Sequence, residues 1–157
     1  MDSIVYMAYS GLYKPRNPKK YKGNPTRIIY RSMWERKFMV FCDSTPSIIE
    51  WGSEEVIIPY RSPKDGRVHR YYPDFYVKAV TKEGHTTKSI IEIKPKKQTK
   101  PPKKPKRQTI GYKKSVLTYL INQAKWEAAE NYCDHRSMTF KILTEDQLHV
   151  WNLIRDN

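Results

Sequence analysis

The sequence predicts a single mixed α/β domain, one central sheet flanked by helices. Three observations lead there. The chain has 157 residues, the size of one compact domain. Its periodic segments run helix, one short strand-like segment and three clear strands, helix, strand, helix, the order expected when helices pack around one sheet. Apolar residues make up 38% and aromatics 13%, enough for a small, aromatic-rich core of the kind disordered chains lack.

Each element has its own signal. Residues 1–30 form a basic arm. Its stretch 10–26 holds three prolines and two glycines and reads as extended and irregular, anchored by Tyr13 and Tyr21. Residues 31–94 carry the first helix and the strands on which the chemistry is expected. That helix starts at Ser32, which with Glu35 fits a capping box. Trp34, Phe38 and Phe41 make its apolar face, and it stops before Pro46. Strands follow at Ser47–Trp51, at Val56–Tyr60 and, after the turn signal Asp65-Gly66, at Arg70–Val80. A second turn at Lys82–His85 leads to Lys88–Lys94, where Ile90, Ile91 and Ile93 give β-branched density. Residues 95–112 form a long basic loop, rich in proline and lysine and therefore extended. Residues 113–157 hold a long helix to Tyr132, a strand at Met138–Leu143, and a last helix through Ile154 capped by Thr144 and Gln147. In the long helix, Val116, Leu117, Leu120, Ala124, Ala128 and Tyr132 suit a core face.

Several classes are excluded by composition. No run approaches the ~20 apolar residues that span a bilayer, and no apolar signal-peptide core opens the chain. Cys42 and Cys133 stand far apart with no pattern, which suggests a reduced compartment and no disulfide framework. Cys133-Asp134-His135 lacks the partners of a zinc site. The histidines are scattered, and His69 reads as a surface residue. No phosphate-binding glycine loop or nucleophile elbow is present.

The net charge of +14 is uneven. Between Ser3 and Trp34 there is no acid and there are seven basic residues; between Ile93 and Trp126 there is no acid and there are eleven. These two segments carry +18, leaving −4 on the rest. That is the electrostatic footprint of a polyanion binder. The arm supplies Lys14, Arg16, Lys19, Lys20, Lys22 and Arg31 as candidate DNA contacts. The loop supplies Lys96, Lys97, Lys103, Lys104, Lys106 and Arg107. Lys125 adds an accessory contact from the long helix, sharing a face with Asn122. Tyr13, Tyr21 and Tyr112 are candidates for stacking on frayed or single-stranded ends.

The sharpest chemical signal is Pro73-Asp74 followed by Glu92-Ile93-Lys94. Side chains alternate faces along a strand, so Glu92 and Lys94 point together while Ile91 and Ile93 point away. Asp74, on the preceding strand, can meet them. Two carboxylates beside one ammonium suit Mg²⁺, a hard ion that takes one or two carboxylates and completes its shell with water and phosphate oxygen. Lys94 can then position or deprotonate the hydrolytic water. The same residues also fit a half-exposed strand and a turn without chemistry.

These residues resemble the PD-(D/E)xK nuclease superfamily with its restriction-endonuclease-like fold. The resemblance implies that Asp74 and Glu92 bind Mg²⁺, with Mn²⁺ as a substitute, and that Lys94 acts on the water. It also implies a further catalytic and metal-binding Glu from the first helix, at Glu35, whose competing role is the capping box. Trp51, Gly52 and Glu54 occupy a place where a Trp-x-x-Glu run occurs in relatives, and take packing and turn roles. Ser10-Gly11-Leu12-Tyr13-Lys14-Pro15, Lys20-Tyr21-Lys22-Gly23, Tyr30-Arg31-Ser32, Trp34-Glu35 and Tyr72-Pro73-Asp74-Phe75 are similar to the head-completion nucleases of tailed bacteriophages, relatives of the endonuclease subunit of heteromeric transposases. That resemblance, over about residues 9–133, implies processing of phage DNA ends in the host cytoplasm before tail attachment. It implies DNA, duplex or ends, as partner, together with portal or neck proteins and association with the virion. The competing expectation is a structural plug that binds DNA ends without cutting.

Overall fold

The computed structural model describes residues 9–150. The core is a four-stranded sheet formed by β3 (Ile48–Ser53), β6 (Phe75–Val80), β7 (Thr86–Ile93) and β8 (Thr139–Leu143), in the order β3-β6-β7-β8. The first three are antiparallel; β8 joins parallel to β7, after the crossover through α2 (Ile110–Asp134). Helix α1 (Met33–Ser44) covers one face, with Trp34, Phe38, Met39 and Cys42 packed on Phe75, Val77, Ile91 and Ile93. The alternate residues Tyr76, Ile90 and Phe140 face Trp126, Ala129 and Cys133 of α2. The period-2 alternation of the strands thus sorts the sheet into two cores. The fold class matches the expected one.

Local chemistry sets the boundaries. Ser32 caps α1, its hydroxyl accepting from the Glu35 N–H at 3.1 Å. Asp65-Gly66 turns the hairpin β4 (Ile58–Arg61)–β5 (Val68–Tyr71), and Gly66 takes φ 71°, a left-handed backbone that glycine adopts freely. Thr144 and Gln147 close the cap of α3 (Glu145–Val150); its expected extension to Ile154 lies outside the described residues.

Three expectations are corrected. The return strand expected over Arg70–Val80 is two strands. Pro73 cannot donate to a ladder, so β5 ends at Tyr71 and pairs with β4 in a separate hairpin, while β6 starts at Phe75 in the main sheet. The arm is not irregular throughout. β1 (Gly11–Tyr13) pairs antiparallel with β2 (Ile28–Tyr30), and Tyr21 bridges to Trp51, which covers the β3 edge. The long helix starts at Ile110, capped by Thr109, and its first turns leave the core: Leu120 is 46% exposed, the fully buried positions are Trp126, Ala129 and Cys133, and of the expected face Ala124, Ala128 and Tyr132 pack half-buried against the core.

The arm is fastened to the C-terminus of α1. Asp43 is buried and accepts from the Tyr13 hydroxyl and the Arg16 N–H, both at 2.7 Å, and from the Asn17 N–H at 2.9 Å. The Lys20 ammonium donates to the carbonyls of Cys42, Asp43 and Thr45 at 2.7–3.0 Å. Carbonyls at a helix end lack intrahelical partners, and a cation there also answers the negative end of the helix dipole.

Candidate active site

The site lies where β6 begins and β7 ends. The pairing Phe75↔Ile91 fixes the register, and one step further places Asp74 opposite Glu92. Because Pro73 ends the ladder, the Ile93 N–H has no strand carbonyl to meet. The Asp74 carboxylate takes that bond at 2.8 Å. The Asp74 carbonyl in turn accepts from the Glu54 N–H at 3.1 Å. Glu54 holds this position with φ 53°, a conformation uncommon outside glycine, and its carboxylate pairs with Arg31. Glu54 is therefore more than a turn residue: it ties the Asp74 backbone and an arm cation to one point.

Glu92 is buried, 7% exposed. One oxygen accepts from the Tyr71 hydroxyl at 2.6 Å, and the other lies 3.4 Å from the Lys94 ammonium. Lys94 follows the last residue of β7, and its N–H donates to the Leu143 carbonyl of β8 at 3.0 Å, so its main chain is fixed by the sheet. Burial first, then the charge and hydrogen bond of Glu92, push the Tyr71 hydroxyl far above its ordinary pKa. Tyr71 therefore stays protonated and acts as a donor.

Asp74 carries the strongest electrostatic signature of the site. Burial, then the charges of Glu92 and Glu35, push its carboxyl well above the usual range. The Ile93 N–H and the Lys94 ammonium work in the opposite direction. Carboxylates crowded in a low-dielectric place resist joint ionisation, and a cation would relieve that repulsion.

The structure brings Asp74, Glu92 and Lys94 together, with Glu35 near enough for its charge to act on Asp74 but engaged in its own contacts. Glu35 is buried at the head of α1, where its carboxylate accepts from the Arg31 N–H at 3.2 Å and stands 3.5 Å from the Ser32 hydroxyl. Among the described residues, no group of three or more His, Cys, Asp or Glu is gathered closely enough to hold a metal. The three-carboxylate cage is thus not formed. The capping role occupies Glu35, and α1 approaches from the opposite face of the sheet.

The candidate DNA contacts sort by exposure. Lys14, Arg16, Lys19, Lys22 and Arg31 are exposed on the arm, with the Lys22 ammonium 4.4 Å from the centre of the Tyr76 ring. Lys20 is turned inward by its three carbonyl bonds. Tyr13 and Tyr21, both 7% exposed, pack on Trp51 and offer no face for stacking on bases. In the loop, Lys97, Lys103, Lys104, Lys106 and Arg107 are exposed. Lys96 is paired with Asp146 at 3.0 Å, and its N–H is bonded to Glu145, which ties the loop to α3. Lys125 stands beside the site, 5.6 Å from the Tyr71 ring centre and 5.8 Å from that of Tyr60. His69 pairs with Asp65 across the hairpin turn. Tyr71 escaped sequence reasoning because it belongs to a different strand pair; only its two-residue separation from Pro73 hinted at proximity. No described helix is long and apolar enough to cross a membrane.

Comparison with known proteins places this geometry. The TnsA-like endonuclease N-terminal family matches residues 45–145, which include Asp74, Glu92 and Lys94. The head completion nuclease of Enterobacteria phage T4 is 43% identical over 148 residues, covering 92% of this chain and 96% of that protein. No solved structure gives a significant match.

Proposed function

The chain belongs to the TnsA-like endonuclease N-terminal family, and from that premise we propose that this nuclease is divalent-metal dependent and processes phage DNA ends during head completion, before tail attachment. The observation that carries the reading is the placement of Asp74 opposite Glu92, one step beyond the Phe75↔Ile91 pair, with the Lys94 ammonium 3.4 Å from Glu92. The T4 relative is named for head completion, which supports that setting.

The donor set fits Mg²⁺, or Mn²⁺ in its place: two hard carboxylates, with room in the coordination shell for water and phosphate oxygen. When bound, such an ion lowers the pKa of a water and neutralises charge on the scissile phosphate. The chain's own residues orient the reaction. Tyr71 fixes one oxygen of Glu92, the Ile93 N–H fixes one oxygen of Asp74, and neither carboxylate is left to rotate. Lys94 presents an ammonium beside them, where it can hold the attacking water and stabilise developing negative charge. Lys125 and Arg31 offer further positive charge at the rim for the DNA backbone.

The test is cleavage of linear duplex DNA in Mg²⁺ by the wild type, Asp74→Asn and Glu92→Gln. The wild type is expected to cut and to stop on chelation, and each variant is expected to lose roughly 100-fold or more. Equal cutting by all three overturns the site. Phage carrying Asp74→Asn are expected to accumulate heads that do not accept tails. Normal yield would favour a DNA-end plug in place of a cutting enzyme.

A further inference from the structure

Outside the carboxylate site, a cavity lies between the basic loop and the first turns of α2. Its volume is about 660 Å³, within the range of pockets that take a small organic group. Lys97, Lys100 and Lys103 form one wall, and Lys114 faces them from the helix. Tyr119 and Asn122 also line it from the helix, and Pro101 and Pro102 from the loop. In the N-terminal half of α2 no residue is fully buried and Ile121 is the one that packs, half-buried, against the core, so core packing does not account for Tyr119. No acid occurs between Ile93 and Trp126.

We propose that this groove seats an unpaired DNA strand leading into the carboxylate site, so that the preferred substrate carries a single-stranded end. The proposal rests on the nuclease reading and deepens it. Four ammonium groups match phosphates, whereas an aromatic side chain in the same lining matches the flat face of a base. Bases expose that face only when unstacked; a duplex would meet the lysines and leave Tyr119 unused. The direction of the groove adds a second argument. Tyr119 neighbours Asn122 and Asn122 neighbours Lys125 on α2, a path that winds partly around the helix and advances about 9 Å from first to last. Lys125 lies 5.6 Å from the Tyr71 ring centre, and the Tyr71 hydroxyl holds Glu92. The opposite wall begins at Lys97, three residues after Lys94. The loop side thus leads back along the chain to Lys94, and the helix side leads on to Lys125 beside Tyr71.

The experiment uses the full chain with Asp74→Asn, to suppress cleavage, and two fluorescent probes: oligothymidylate and a blunt duplex of equal charge. Adding Tyr119→Ala is expected to weaken oligothymidylate binding by about 5-fold to about 100-fold, the effect of losing one stacked base, with duplex binding changed less than about twofold. Tyr119→Phe should restore binding, since it keeps the ring. If Tyr119→Ala does not fold, Tyr119→Leu replaces it. Equal weakening on both probes, no weakening on either, or displacement by polyglutamate as effective as by oligothymidylate would each overturn the proposal. Cleavage assays on the wild type report separately on the nuclease reading: the groove can fail while cutting survives, and cutting can fail while selective single-strand binding persists.

Discussion

At the residue scale, Asp74 serves two ends that pull apart. Its oxygen completes the ladder at the Ile93 N–H, while its charge sits among Glu92 and Glu35. A carboxyl whose pKa is raised on folding loses stability as pH climbs from the unfolded value toward the folded one. At neutral pH without metal, the ionised site is therefore a strained one. Asp74→Asn keeps the acceptor and removes the charge. It is expected to raise the metal-free Tm by about 2–4 °C, on the order of 1 kcal/mol for a domain of this size. Added Mg²⁺ should raise the Tm of the wild type by mass action and leave the variant unmoved. Thermal unfolding with and without Mg²⁺ checks both; a variant that melts below the wild type in chelator contradicts the argument. The Asp74–Glu92–Lys94 set was legible in sequence because a period of two is unambiguous on an isoleucine-rich strand. Glu35 was legible from the residues as a cap and from the resemblance as a metal ligand; the structure shows the cap contacts and leaves its charge within reach of Asp74.

At the element scale, the arm is the largest departure from what the sequence suggested. Prolines and glycines marked irregular backbone, but nothing local showed that Tyr13, Arg16 and Asn17 converge on Asp43 from 26 to 30 positions away. Long-range polar contacts leave no periodic trace. The same blindness applied to Pro73, which cut an expected strand into members of two sheets. The cap at Ser32, the Asp65-Gly66 turn and β7 were readable because each rests on neighbours in sequence. The clasp has a measurable strength. Burial acts to raise the Asp43 pKa, but the hydrogen bonds from Arg16, Tyr13 and Asn17 prevail and hold it below the usual range. Its contribution is thus complete above the ordinary Asp value of about 3.9 and disappears as pH falls through the lower folded value. Asp43→Ala is expected to cost about 2–4 kcal/mol at neutral pH, since it leaves buried donors unmet. Urea midpoints should converge with the wild type only in strong acid. A loss below about 0.5 kcal/mol at pH 7 would mean that the arm docks by its aromatic rings alone.

At the scale of the whole molecule, a near-neutral body carries its cations on two structures that flank one end of the sheet. The arm cations near Arg31 and the loop cations after Lys94 both adjoin the carboxylates, which allows a DNA backbone to be held on either side of the cut. Phosphate contacts release counterions, so affinity falls with salt at about 0.9 logarithmic units per contact on duplex DNA. Replacing Lys103, Lys104, Lys106 and Arg107 with glutamine should flatten that slope, by as much as ~3.6 if each meets one phosphate. All four are exposed, so the melting temperature should hold. Titrations at several salt concentrations test this, and an unchanged slope removes the loop from the duplex-binding surface.

The parallel pairing of β7 with β8 has a consequence in time. These neighbours are joined only by way of the basic loop and all of α2, a long excursion whose ends must be brought together before any ladder bond rewards the closure. The excursion is also charged with one sign throughout its first half, so its own repulsion opposes closing until ions or a polyanion screen it. On these grounds β8 is expected to join the sheet last, and refolding followed in low salt with and without DNA is expected to be faster with it; equal rates would show that the charged excursion does not limit closure.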